Sequence, residues 1–202
     1  WLGLEFDIGQ LLRRFRQFSE NKSKDEINNS YSGNSIPSID KKLDQIKFVQ
    51  SAPNINGLRR LVCEEMPQVL VVDTIDCLNV DSYGGNQKSK LDQIMGSLKD
   101  IAMKQKLVVV GVSHIPKAES DRIRTTGQRL TMHSGMGTAG IAQKSDHVWA
   151  LNGRSESTFR TFQVTKGRDV QKFDYSFNFD PNTFAFKDID KQTQEGLVQL
   201  IY

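Results

Sequence analysis

The run Val69-Leu70-Val71-Val72-Asp73 sets a carboxylate directly after four apolar, mostly β-branched residues. Such a run reads as a buried strand of a parallel sheet, and its last residue emerges at the carboxyl edge, where α/β proteins bind ligands. A carboxylate there suits a magnesium ion shared with nucleotide phosphates. A turn or helix-capping aspartate is the plainer alternative. Two more polar groups stand at expected strand ends: Glu5 after Trp1-Leu2-Gly3-Leu4, and His114 after the run from Leu107 to Ser113. Hydrolysis of a nucleoside triphosphate needs a base or water-orienting group, a carboxylate for the metal and a group that senses the terminal phosphate. Singly, Glu5 also reads as an acid at a helix N-terminus and His114 as a satisfied loop histidine. Their common edge favours the joint reading.

Positioning these groups requires alternating strands and helices. Asp7 can cap a helix carrying Ile8, Leu11, Leu12, Phe15 and Phe18 at helical spacing beside Arg13, Arg14 and Arg16. Residues 19–38, rich in Asn, Ser, Lys and Gly, read as a surface insertion or disordered loop. A short strand is expected at Ile46–Val49, stopped by Pro53, and a helix over Gly57–Met66, stopped by Pro67. Lys88–Lys104 places Leu91, Ile94, Met95, Leu98, Ile101 and Ala102 on one helical face before the strand Leu107–Val112. This is the βαβ rhythm of a parallel sheet. Beyond Asp146 the pattern changes to short strands at His147–Leu151, Phe159–Thr165, Tyr175–Phe179 and Phe184–Phe186, an antiparallel extension. Residues 190–202 read as a docking helix or a frayed C-terminal tail.

Composition bounds the rest. With 202 residues, 37% hydrophobic and 25% charged, the chain can bury one α/β core, so a single domain over 1–202 is expected. A net charge of +3 is mild, so contact with nucleic acid would have to come from local clustering. Cys63 and Cys77 lack metal-ligand spacing and read as reduced structural thiols. No stretch approaches the roughly 18 apolar residues of a membrane span, so a soluble, cytoplasmic or otherwise intracellular protein is expected. The chain opens on Trp1 at what looks like the end of a strand, and a piece of a longer protein is expected.

In order, Leu4-Glu5, Leu70-Val71-Val72-Asp73, Val112-Ser113-His114, Gly135-Met136-Gly137 to Gln143-Lys144-Ser145-Asp146, and Val164-Thr165-Lys166-Gly167-Arg168 carry a resemblance. The set resembles the RecA-like ATPase core of DnaB-type hexameric replicative helicases, and within them the phage primase-helicase and Twinkle-like branch. The resemblance implies an α/β, P-loop NTPase fold with a mostly parallel sheet, ATP and Mg2+ as ligands, single-stranded DNA as partner, and a homo-oligomeric ring with sites between subunits. It implies that Glu5 polarises the attacking water, Asp73 is the Walker B carboxylate at the metal and nucleotide, and His114 senses the γ-phosphate. Lys166 and Arg168 would reach a neighbouring subunit's nucleotide. Ser145-Asp146 departs from the family's Ala-Asp.

One family element, Gly-x-x-x-x-Gly-Lys-Ser/Thr, is absent from these residues. Lys88-Ser89 follows Gly84-Gly85 without the required adjacency, so it is rejected as a phosphate loop. The phosphate cradle is expected before Trp1, and the 202-residue chain alone is expected to be inactive.

Basic pairs such as Lys166 and Arg168 usually face solvent, but their spacing places both on one strand face. Between Pro116 and Gly135, Lys117, Arg122, Arg124 and Arg129 outweigh Glu119 and Asp121. That segment reads as a mobile basic loop able to track single-strand phosphates, or as a solvated polar loop, since no aromatic platform is interleaved. Two other functions stay open: a RepA-like or recombination-type DNA-binding ATPase, and a KaiC-like signalling ATPase acting on proteins.

Overall fold

The apolar runs pair as their composition requires. β1 (Leu2–Gly3), β2 (Val69–Asp73) and β3 (Val108–Val112) form a parallel sheet in the order β1-β2-β3. Val69 to Asp73 align residue for residue with Val108 to Val112, while Leu2 and Gly3 face Val72 and Asp73. The computed structural model describes residues 1–5, 7–32, 44–50, 54–80, 87–126, 130–131, 134, 139–153 and 157–189. Their packing divides the chain into two compact units.

The first unit comprises Trp1–Glu5, Phe48–Ala150 and Val164–Phe173. Two helices cover its parallel sheet, α3 (Ile55–Glu65) and α4 (Gln87–Gln105), following α1 (Ile8–Glu20) and α2 (Lys24–Ser32) of the other unit in chain order. Asn54 starts α3, its side chain accepting from the Gly57 N–H at 2.8 Å. Leu91, Ile94, Leu98 and Ile101 are all buried, a spacing that lines one stripe of α4 against the core. Leu58 and Val72 are fully buried in the same core. Each such aliphatic side chain contributes roughly 1.5–3 kcal/mol through removal from water. A single 3₁₀ turn at Ile75–Cys77 follows β2, and the Asp73–Thr74 peptide is cis. After β3 come α5 (Lys117–Thr126) and the short α6 (Ala139–Lys144).

The second unit comprises Phe6–Lys47, Leu151–Gln163 and Asp174–Tyr202. It holds α1 (Ile8–Glu20) and α2 (Lys24–Ser32). A four-stranded sheet runs in the order β4 (His147–Gly153), β5 (Phe159–Gly167), β6 (Asp174–Asp180) and β7 (Ala185–Asp188). β5 pairs antiparallel with β6, and β6 antiparallel with β7. Phe177 packs edge-on against Phe186 at 5.0 Å, and the Arg160 guanidinium lies 5.4 Å over the Phe179 ring. The fold is thus mixed α/β, with one parallel sheet and one sheet of antiparallel pairs.

Three local expectations are corrected. Residues 19–38 are not a continuous loop: α1 runs to Glu20, and residues 24–32 form α2. The cause is a reciprocal cap, in which Ser23 Oγ accepts from the Glu26 N–H at 3.3 Å and Glu26 accepts from the Ser23 N–H at 2.8 Å. Ile27, fully buried, then anchors α2. Ile46–Val49 forms no strand; Val49 alone bridges Leu2. In α1, Asp7 caps as expected, accepting from the Gln10 N–H at 3.3 Å, but Phe18 stays exposed while Arg16 and Gln17 are buried. Arg16 Nε is paired one turn on with Glu20 at 2.6 Å, and Gln17 donates to the Asn182 carbonyl at 2.6 Å, so each buried head finds a partner, although one terminal nitrogen of Arg16 is buried without a hydrogen bond among the described residues. The tail at 190–202 lies outside the described residues.

Among the described residues no helix is long and apolar enough to cross a membrane. Cys63 and Cys77 are free and exposed.

Candidate functional site

Register decides where the three strand-end groups meet. Asp73 faces Gly3 on one side and Val112 on the other, so Glu5 and His114 each lie two residues beyond it on flanking strands. The Leu4 N–H donates to the Asp73 carbonyl at 2.7 Å, extending the ladder past β1. Strands flanking a common neighbour stand about 10 Å apart. Yet His114 Nε2 lies 3.5 Å from a Glu5 carboxylate oxygen, so the two side chains lean toward each other across the end of β2. Both are accessible, with the imidazole 54% and the carboxylate 35% exposed. Glu5, Asp73 and His114 therefore share the carboxyl rim of one parallel sheet.

A fourth rim group, Asp76, is one that the sequence reading leaves without a role. The 3₁₀ turn carries its carboxylate back toward β3, where it accepts from Ser113 Oγ at 3.2 Å and from the His114 N–H at 3.2 Å. Its Oδ2 lies 3.9 Å from His114 Nδ1, and its side chain is only 11% exposed. The signal available was the acid itself, a lone charge in the apolar stretch Ile75-Asp76-Cys77-Leu78 three residues after Asp73.

The basic pair from the end of β5 is engaged within its own chain. Lys166 Nζ donates to the Ala142 and Ser145 carbonyls at 2.6 and 2.7 Å, satisfying the C-terminal end of α6. Arg168, just past β5 and 70% exposed, pairs with Asp146 at 3.1 Å, and Lys99 reaches the same carboxylate at 2.5 Å. The Lys99 hydrogen bond, with Arg168 adding its charge, holds the Asp146 carboxyl below its ordinary range.

The basic segment after His114 differs from the mobile loop expected there. Residues 117–126 form α5, whose first residue, Lys117, is exposed. Arg122 donates twice to Glu119, at 2.8 and 2.7 Å, and Ser134 Oγ donates to the same carboxylate at 2.8 Å. These bonds lower the Glu119 pKa to about 2. An i, i+3 acid-base pair of this kind supports a helix that the segment's Thr, Ser and Gly content had obscured. Arg124 lies in α5, with only its backbone described; Arg129 and Gly135 lie outside the described residues.

Among the described residues no cluster of three or more His, Cys, Asp or Glu could form a metal cage. Magnesium does not require one: it takes one or two carboxylates together with phosphate oxygens and water. Asp73 at the strand end fits that donor set. A hollow of about 300 Å³ between α3 and α4, lined by Arg59, Cys63, Asp100 and Lys104 among others, contains none of the rim groups.

No protein-family model and no curated protein matches this sequence. Solved structures do match the fold. One, described as an ATPase domain, aligns with a TM-score of 0.77 at 15% identity, over 94% of this chain and 73% of that one. A DnaB-like replicative helicase, described with its interactions with primase, aligns with a TM-score of 0.77 at 16% identity. That match covers 94% of this chain and 50% of the helicase, so the chain spans half its length. At such identities the likeness is one of fold: the chain shares the fold of these two structures.

Proposed function

We propose that this chain, folded as DnaB-type ATPase domains are, belongs to an ATP-driven DNA helicase motor that couples hydrolysis to movement along single-stranded DNA. The observation that carries the reading is the convergence of Glu5, Asp73 and His114 on one rim of one parallel sheet. In this reading Glu5 accepts a proton from the attacking water and His114 senses the terminal phosphate. Asp73 would hold Mg2+, which when bound supplies charge neutralisation for the phosphates. Lys117, Arg122, Arg124, Arg129 and Gly135 would face the DNA channel, where phosphate contacts give salt-dependent, sequence-tolerant binding.

Arg168 is the stronger candidate for action in trans. Its head is mostly exposed and its bond to Asp146 is a surface pair of small worth, whereas Lys166 braces α6. A ring of identical subunits, a hexamer by resemblance, would bring Arg168 to the next protomer's nucleotide.

The 202 residues contain no Gly-x-x-x-x-Gly-Lys-Ser/Thr, so the phosphate cradle must come from elsewhere. β3 offers a place for it. It is apolar on both faces, the composition of a central strand, yet it is outermost in its sheet among the described residues, with Val108 59% exposed. A strand leading into the phosphate loop would pair with that edge.

The test is ATP turnover, stimulated by single-stranded DNA, in the full-length protein, together with strand displacement from a forked duplex. Glu5→Gln and Asp73→Asn should each lower turnover by about 10²-fold or more with the fold intact. Full activity in both variants would remove the rim from the mechanism. The isolated 202-residue chain should not hydrolyse ATP; Asp73-dependent turnover by it would overturn the external cradle.

A further inference from the structure

We propose that Asp76 is a positioning residue: it pins the exit of β3 so that the His114 imidazole stands between two carboxylates, its own and that of Glu5. The geometry is independent of the motor reading, which enters only in the expected effect on turnover.

A carboxylate that is 11% exposed has little water to bond, and Asp76 collects donors instead from the first two residues beyond β3. Ser113 Oγ lies 3.2 Å from each of its oxygens, and the His114 N–H donates to Oδ2 at 3.2 Å. His114 is past the last residue of β3 and more than half exposed, so the sheet ladder does not hold it. Asp76 supplies that restraint from a rigid base. Thr74 and Ile75, on its N-terminal side, are 1% and 2% exposed, and the turn closes with the Leu78 N–H on the Ile75 carbonyl at 3.1 Å. β3 also packs tightly on this turn: a Cβ at Gly111 would come within 2.9 Å of Ile75 Cγ2.

The result is a line of three groups, with Asp76 3.9 Å from Nδ1 and Glu5 3.5 Å from Nε2. A carboxylate behind an imidazole fixes its orientation toward the group in front, a general device for aiming a catalytic ring. Asp76 thereby acts on Glu5 through His114. It touches neither water nor nucleotide in this scheme and is not itself catalytic.

The decisive measurement is the nitrogen resonances of the His114 ring and the carboxyl resonance of Glu5 in the folded chain, compared between wild type and Asp76→Asn. The isosteric variant keeps an acceptor oxygen and removes the charge, so folding should persist; both sets of signals should move. In Asp76→Ala the His114 amide should also exchange up to about tenfold faster, the scale of one lost hydrogen bond. If Asp76→Ala does not fold, Asp76→Asn alone decides. Unmoved His114 ring signals in Asp76→Asn would overturn the proposal. In the full-length protein, Asp76→Asn should lower kcat about tenfold or more while leaving KM for ATP within about twofold. An unchanged kcat beside an active wild type would equally overturn it. A wild type without turnover would instead sink the motor reading, and the resonances would still decide Asp76.

Discussion

His114 shows how little a residue's type says about its task until its neighbours are known. An exposed histidine after a strand is ordinary; this one stands between two carboxylates, with Glu5 3.5 Å from Nε2 and Asp76 3.9 Å from Nδ1. Glu119 makes the same point in the basic segment. Two bonds from Arg122 and one from Ser134 lower its pKa from 4.5 to about 2. Because the folded value is the lower one, this tether is fully present above pH 4.5 and is lost as pH falls toward 2. A carboxyl-carbon titration of the folded chain should therefore place Glu119 near 2, and Arg122→Ala should move its midpoint back toward 4.5. A wild-type midpoint at the ordinary glutamate value would show that the pair does not persist in solution.

Among the elements, the 3₁₀ turn after β2 matters most, because it carries Asp76 and is packed directly beneath β3. Gly111, paired with Val72, leaves room for Ile75 Cγ2 that a methyl group would occupy. Gly111→Ala should destabilise the chain by about 1–3 kcal/mol through overpacking, read from the denaturant midpoint at unchanged slope. An unaltered midpoint would mean that the turn yields freely and is a poor base for Asp76. The α2 helix teaches a different lesson. Its cap, Ser23-Lys24-Asp25-Glu26, is a recognisable signature, but the polar composition around it outweighed four residues.

At the scale of the whole molecule, the proposed ring assigns different tasks to Lys166, near the end of β5, and Arg168, just past it. Lys166 is engaged within its own chain, as its two carbonyl partners show, and in that ring Arg168 would serve the next protomer. In the assembled protein, Arg168→Ala should lower ATP turnover by about 10³-fold or more while sedimentation shows the same oligomer. Undiminished turnover would remove Arg168 from the chemistry; loss of the oligomer would make it an interface residue instead.

The strands and their direction were legible from the sequence because uninterrupted apolar runs such as Val69–Val72 and Leu107–Val110 suit a parallel sheet, but the burial expected of them is only partial: Val69 and Val108 are 52% and 59% exposed. Helix α4 was legible because its buried stripe, Leu91, Ile94, Leu98 and Ile101, repeats at helical spacing over about three turns. The placing of Glu5, Asp73 and His114 at strand ends followed from the same patterns. Their meeting did not: register is set by pairing between distant residues, Leu2 with Val72 and Val69 with Val108, and Glu5 meets His114 from a distant part of the unit's sequence, which no local pattern encodes. Asp76, Asp146 and the partners of Lys166 belong to the same class. A charged side chain declares its charge in the sequence, but the tertiary structure alone decides which opposite charge or carbonyl it will satisfy.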